Sequence, residues 1–432
     1  MKDDHEQDHG QVPEQDPVRD PEAGASAPVV SRRSQQIQAA APFRMLFEFL
    51  RRRAAAEAEA DDQGRGEHDL LDFTFGDPHE LAMPAYVEAL RSAAVPRDEQ
   101  WFAYMQSEQA AQDAAAASLE RVVPLGWTGD DLRMTTGGFG AITVAMKAVA
   151  DPGDEVVYTL PPWFLYEILA VEAGLVPVKV PALQPGFDLD LDAIAAAITP
   201  RTRVVVVNTP NNPSGRVYPP AQLTALAAIL EEASARNGRR IWIVSDEPYN
   251  RIVFDGKPFH SPTQFYRHTL LCYSYGKTLL APGQRVGYLA VPPGLPEADT
   301  LMGAIDSLQV AGGWLFPNAV MQYAVPDLER LSIDIDALQS KRDRLVGALR
   351  EMGYDVASPE GTFYLWPRSP VPDDEAFVAS LARRGVLVMP GTLFETPGWF
   401  RICLTATPAS IEAAIPHFRA AINEAKRADP PS

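Results

Sequence analysis

Through the middle of the chain, short runs rich in β-branched and aromatic residues alternate with stretches of helical spacing. Glu155–Leu160, Arg203–Val207, Arg240–Ser245 and Thr269–Ser274 are apolar and too short for helices, so each predicts a buried strand. Between them, Pro219–Arg236 repeats its leucines at about helical spacing. Strands alternating with helices predict βαβ units and a mostly parallel sheet, an α/β architecture. Beyond about Pro317 the pattern changes. Leu338–Met352 reads as a long helix, Gly361–Trp366 and Phe400–Thr405 as short strands, and a closing helix starts at Ser410. This second pattern predicts a smaller α+β domain.

Toward the other end, Phe43, Leu46, Phe47 and Leu50 form one apolar helical face that runs into the basic, Ala-rich stretch Arg51–Ala60. The tract from Asp61 to Gly66 breaks that helix. From Met1 to about Ala41 the chain is mostly Asp, Glu, Gln, Pro and Ala, which buries too little apolar surface to offset its ordering entropy. The expected organisation is a disordered acidic tail (1–41), a helical arm joining the small domain (42–75), a large domain (76–317) and a small C-terminal domain (318–432).

Composition narrows the function classes. With 46% hydrophobic and 22% charged residues in 432, the chain has the balance of an ordinary soluble globular protein. No apolar run approaches the roughly 18 residues of a membrane span, and no signal-peptide stretch opens the chain. Cys272 and Cys403 lie too far apart for a metal-ligand spacing and suggest no disulfide framework, so a cytoplasmic setting is expected and no metal. A net charge of −19 argues against a nucleic-acid partner, because neutralising phosphates needs clustered Lys and Arg. It leaves room for a small anion held by a few local donors.

In open α/β sheets, ligands gather beyond the carboxyl ends of the strands, and the polar residues there form a set. Asn208-Thr209-Pro210-Asn211-Asn212-Pro213-Ser214-Gly215 is at its plainest a turn-rich loop, yet after a buried strand it aims an Asn amide into the crevice. Asp246, in Asp246-Glu247-Pro248-Tyr249, is either a helix N-cap or a buried carboxylate that needs a cation, such as a protonated pyridine nitrogen. Lys277, in Ser274-Tyr275-Gly276-Lys277, would ordinarily be a solvated surface residue. Here it follows a buried strand and precedes Arg285, framed by Gly283 and Gly287, and its neutral amine would attack an aldehyde. The glycines of Thr135-Thr136-Gly137-Gly138-Phe139-Gly140 allow backbone N–H groups to approach a phosphate at a helix N-terminus. Trp163 is either core packing or a ring that stacks on another.

Four motifs in this order, Asn-Asn-Pro-Ser-Gly, Asp-Glu-Pro-Tyr, Ser-Tyr-Gly-Lys and Gly-Gln-Arg-Val-Gly-Tyr, with Phe400-Arg401-Ile402 as a fifth, resemble the class I/II aminotransferases. These are fold-type I pyridoxal-phosphate (PLP) enzymes, and the resemblance spans roughly Leu70 to Ile422. It implies that Lys277 binds the cofactor covalently and shuttles the proton. It also implies that Asp246 pairs with the pyridinium nitrogen, that Asn212 and Tyr249 bind the ring oxygen, and that Trp163 stacks on the ring. Ser274, Arg285 and the backbone of Gly138 and Phe139 would hold the phosphate. Arg401 would clamp the substrate carboxylate with its planar fork. Gly76 corresponds to a substrate-side glycine, and Tyr104 to a tyrosine that reaches the partner's phosphate in a homodimer. Asn212 and Trp163 would also face the substrate.

The chain departs from the family pattern in places. The residues after Tyr104, Met105 to Ala111, lack the usual Gly and Leu-Arg, and Phe139 stands where a hydroxyl residue is common. No second Arg is evident for a distal carboxylate, and Gly312-Gly313-Trp314-Leu315-Phe316-Pro317 is aromatic. A non-acidic substrate, apolar or aromatic, is therefore expected. Other reactions on the same cofactor (β-elimination, decarboxylation, oxidation) share these motifs. A transcription regulator built on this fold would need a basic helix-turn-helix module, and the acidic, Pro-rich tail contains none.

Overall fold

The computed structural model describes residues 29–62 and 70–428. Seven strands lie side by side in the order Leu132–Thr135, Gly287–Ala290, Thr269–Ser274, Trp242–Asp246, Thr202–Asn208, Glu155–Leu160, Val176–Pro181. All neighbours run parallel except Gly287–Ala290, which is antiparallel to both of its partners. Alternation along the central strands explains their unbroken hydrophobicity. Val204 and Val206 pack into one core with Val244 and the helix Gly137–Val149, while Val205 and Val207 pack into the other with Ile243 and the helix Pro220–Asn237.

The ladder register places the polar residues. Asn208 pairs with Asp246 across adjacent strands, and Ser274 and Thr135 both pair with Gly287. One end of the sheet therefore collects an amide, a carboxylate and a hydroxyl before any loop contributes. Asn208 and Asp246 are the last residues of their strands rather than the start of the loops beyond, because this pairing carries the ladder one step further than the hydrophobic runs suggest.

A second core forms around a three-stranded antiparallel sheet, Met389–Pro390, Phe400–Cys403 and Tyr364–Leu365, with the helices Ile335–Met352, Asp374–Ala382 and Pro408–Ala428. The expected strand Gly361–Trp366 shrinks to two residues because Thr362 adopts a left-handed φ of 68°, which interrupts the extended backbone. Leu71–Asp72 pairs in parallel with Val386–Leu387 and so ties the N-terminal arm to this layer.

The arm is a helix over Ala41–Asp62, as its apolar face predicts. Within the stretch expected to be disordered, Arg32–Ala39 is also helical, started by Ser31, whose side chain accepts from the Ser34 N–H. Asp61 and Asp62, where the break expected at 61–66 was to begin, still belong to the helix, while 63–66 and the rest of the tail up to residue 28 lie outside the described residues. Among the described residues no helix is long and apolar enough to cross a membrane.

Gly287 sits where the sheet meets the loop at Gly137. A Cβ there would lie 2.2 Å from the Tyr273 carbonyl oxygen and 3.0 Å from Gly137 Cα, both backbone atoms that cannot turn aside. Gly287→Ala is expected to cost about 2–3 kcal/mol in urea denaturation. A variant as stable as wild type would show that the two strands can separate locally.

Candidate active site

Beyond the carboxyl ends of the parallel strands lies a cavity of about 300 Å³. Gly76, Gly138, Phe139, Trp163, Asn212, Asp246, Tyr249, Ser274, Lys277, Arg285 and Arg401 all line it. Residues far apart in sequence are brought together here, and of the expected set only Tyr104 lies outside. Tyr104 is 97% exposed on a separate stretch of surface.

Asp246 is buried in the wall. It is not a helix cap. Its carboxylate accepts a short hydrogen bond from the Tyr166 hydroxyl, and the Asn208 amide donates to the same oxygen at 3.3 Å and to the Asp246 carbonyl at 2.9 Å. Burial pushes its pKa up to about 6, while the Tyr166 bond and the charge on Lys277 pull it back. Burial, reinforced by Asp246, drives the Tyr166 hydroxyl well above its ordinary range, so Tyr166 stays a donor. Among the described residues no cation lies within ion-pair distance of this carboxylate, Lys277 acting on it only from farther off. Its neighbour Glu247 accepts from Ser245 and Ser261, both at 2.6 Å, and is pushed up to about 7 by burial.

Lys277 lies on the single helical turn Tyr275–Thr278 that follows the strand ending at Ser274. Its Nζ stands 5.8 Å from the Phe363 ring centroid, and no carboxylate pairs with it among the described residues. Around the start of the helix Gly137–Val149, a Cβ on Gly137 would lie 3.1 Å from the Arg285 guanidinium, and one on Gly138 would lie 3.5 Å from Ser274 Cβ. Helix N-terminus, hydroxyl and guanidinium thus converge on one spot. Arg285 donates to the Pro282 carbonyl and has no carboxylate partner among the described residues. That donor set suits a phosphate. Trp163 is fixed by edge-on contacts with Phe139 at 4.7 Å and Tyr166 at 5.3 Å.

At the opposite end Arg401 is buried, with its guanidinium between the rings of Tyr364 and Phe394. It donates to Asn212 Oδ1 at 3.0 Å and to the Thr74 carbonyl at 2.7 Å, while its Nε has no partner. Because Asn212 uses its oxygen on Arg401, its NH₂ remains the group available to a ligand. A Cβ at Gly76 would lie 2.5 Å from Phe363 and 2.9 Å from the Tyr364 hydroxyl, so the close approach there requires glycine.

The aromatic segment Gly312–Pro317 does not line the cavity. Trp314 packs instead on the core formed with the helix Gly137–Val149. The apolar lining comes from Leu46, Phe75, Phe139, Trp163, Phe164 and Leu165. Tyr166, Asn208, Tyr364 and Phe394 were not singled out from the sequence. Asn208 carried a signal, since it opens the Asn-rich stretch at a strand end. Tyr166 and Tyr364 are aromatic residues in apolar runs, and only the fold brings them to Asp246 and Arg401.

The raised pKa of Asp246 makes stability depend on pH. A group whose folded pKa is raised binds more protons in the folded state, so its contribution is complete below pH 4 and is lost as pH rises through about 6. In cofactor-free protein, Asp246→Asn should gain about 2 kcal/mol over wild type between pH 4.5 and pH 8 in urea denaturation. A difference that stays flat with pH would show that Asp246 ionises freely.

Residues 68–418 match the family described as aminotransferase class I and II. The aspartate/prephenate aminotransferase of Cereibacter sphaeroides is 31% identical over 372 residues, covering 81% of this chain and 90% of that protein. That of Thermus thermophilus is 30% identical over 382 residues, covering 86% and 96%. The crystal structure of an amino transferase from Eubacterium rectale superposes with a TM-score of 0.83 at 30% identity, over 92% of this chain and 99% of that one. An anion-binding cup, an unpaired lysine and a buried carboxylate without a close cation fit the cofactor on which such enzymes depend, PLP. The chain belongs to the class I and II aminotransferases, enzymes of the fold-type I, PLP-dependent group.

Proposed function

We propose that this aminotransferase takes the amino group from a non-acidic amino acid, apolar or aromatic, and passes it to a 2-oxo acid. The observation that carries this reading is the charge of the cavity wall. Its cationic side chains are Lys277, Arg285 and Arg401, and the remainder is largely apolar, with Asp77 as a further acid. With Lys277 and Arg285 given to the cofactor, Arg401 is left for the α-carboxylate. A distal carboxylate would need a cation from outside the described chain. The two relatives carry aspartate in their names, which makes aspartate the competing donor.

In this reading Ser274, Arg285 and the N–H groups at Gly138 and Phe139 hold the phosphate, and Trp163 backs the ring. Asp246 supplies the negative charge that keeps the ring nitrogen protonated, and Tyr166 and Asn208 fix the direction of its carboxylate. Tyr249 and the free NH₂ of Asn212 donate to the ring oxygen. When bound, PLP acts as an electron sink that acidifies the substrate Cα proton. Lys277 holds the cofactor and, once freed by the incoming amine, moves that proton. Arg401, braced on Asn212 and Thr74, fixes the carboxylate and with it the orientation of the Cα bonds, while Leu46 and Phe75 help to exclude water.

The site draws on all three parts proposed from the sequence: the arm (42–75), the large domain (76–317) and the small domain (318–432). A homodimer belongs to the same proposal. Tyr104, beside the 61% exposed Phe102, is free to reach the partner's phosphate-binding end. Tyr104→Phe is then expected to weaken PLP binding about tenfold, although Tyr104 lies outside its own cavity. Unchanged affinity would remove it from the site.

The deciding experiment supplies purified holoenzyme with a panel of amino acids and 2-oxoglutarate and measures 2-oxo acid, ammonia and carbon dioxide. Phenylalanine or leucine should give higher kcat/KM than aspartate, with 2-oxo acid as the product. Arg401→Lys should raise KM for every donor about a hundredfold, because an ammonium cannot form the bidentate pair. Faster turnover of aspartate would overturn the substrate reading, and ammonia or carbon dioxide in place of amino transfer would overturn the proposed reaction.

A further inference from the structure

Tyr364 touches both groups proposed to handle the negative charges of the reaction, and its chemistry is not used up by packing. The Arg401 guanidinium carbon lies 4.1 Å from the centroid of its ring and 4.8 Å from that of Phe394. Its hydroxyl is 3.4 Å from the hydroxyl of Tyr249. Both tyrosines are buried, and Tyr364 also closes the wall at Gly76.

The two contacts differ in kind. A guanidinium between two rings in a desolvated site is held in plane without using its N–H donors. The rings use none of those donors: one terminal nitrogen donates to Asn212 and the other to Thr74 and Met389, which leaves Nε as the unpartnered N–H. The contact between the hydroxyls is long for O–H···O, so the Tyr249 proton is loosely committed and can turn to a better acceptor. Once it does, the Tyr249 oxygen becomes an acceptor itself, and the Tyr364 hydroxyl is the donor beside it. A donor behind a donor polarises the first bond.

We propose that Tyr364 is a positioning residue that holds Arg401 flat for the substrate carboxylate and strengthens the bond from Tyr249 to the cofactor's ring oxygen. This rests on the roles proposed above for Arg401 and Tyr249. Because the ring carries one function and the hydroxyl the other, the two can be separated.

The test compares Tyr364→Phe and Tyr364→Leu holoenzymes, using the pH titration of bound-cofactor absorption and the steady-state constants for a good amino donor. A weaker donor to the ring oxygen leaves that oxygen more basic. Tyr364→Phe should therefore move the titration upward by about half a pH unit, with KM unchanged. Tyr364→Leu should show the same displacement and raise KM about tenfold, with kcat affected less. Phe394→Leu, which removes only the other ring, should raise KM and leave the titration in place. Tyr249→Phe and Arg401→Lys serve as references. If neither reference alters its own readout, the site assignment fails. If both do and the Tyr364 variants leave titration and KM at wild-type values, or Tyr364→Phe raises KM as much as Tyr364→Leu, the inference about Tyr364 fails alone.

Discussion

A carboxylate buried at the end of a parallel sheet is the constraint around which this site is arranged. Ionised Asp246 has lost its water and gained two neutral donors, Tyr166 and Asn208, with Lys277 as the nearby positive charge. Neutral donors orient a carboxylate well but offset only part of its desolvation. The remaining cost becomes a binding preference, because a cation that reaches the free side of the carboxylate is favoured by whatever the fold left unmet. Glu247, one residue on, differs in this respect. The Ser245 and Ser261 hydroxyls both bond its Oε1, and burial pushes it up to about 7, which favours its protonated, neutral form. Adjacent acids, one ending the strand and one just beyond it, thus take separate surroundings, Asp246 with Tyr166 and Asn208 and Glu247 with Ser245 and Ser261.

The substrate end is organised by a cation instead. Arg401 reaches from the small C-terminal sheet to Asn212, in the loop after a central strand, and to Thr74, at the end of the arm. Three segments distant in sequence meet on one guanidinium. Because Asn212 is itself fixed at its backbone N–H by Asn208, and Asn208 donates to Asp246, a chain of hydrogen bonds runs from the substrate end of the cavity to the cofactor end. Displacing Arg401 would disturb the amide proposed to face the cofactor, so the ends of the cavity are geometrically linked.

Much of this was legible in the sequence, and the limits have physical causes. The central strands were visible because both of their faces are buried, which gives continuous hydrophobic runs. Residues such as Lys277, Asp246 and Arg285 were visible because polar groups at the ends of such runs have few structural reasons to be there. Tyr166 and Tyr364 were not, since an aromatic residue in an apolar stretch is indistinguishable from core until its hydroxyl is seen to point at a partner. The aromatic segment Gly312–Pro317, expected to bear on selectivity, does not line this chain's own cavity, and its tryptophan packs on the core. The apolar lining comes from other residues, Leu46 and Phe75 among them from the arm, and only tertiary structure decides which aromatic residues contribute.

The acidity of the chain bears on selectivity as well. A net charge of −19 disfavours the approach of any anion, yet ions screen that field within roughly 8–10 Å at physiological salt. Arg401, buried between two rings, projects little field into solvent to counter it. Its attraction is realised only at contact, where a carboxylate meets a preorganised fork in a water-poor pocket. Under those conditions one carboxylate per substrate can be matched inside the chain. A second, on the side chain, would lie against Leu46, Phe75 and Phe164 and would need a cation from outside this wall. Apolar side chains incur no such penalty and gain from leaving water, and this asymmetry, more than any single contact, is the physical basis of the non-acidic donor proposed above.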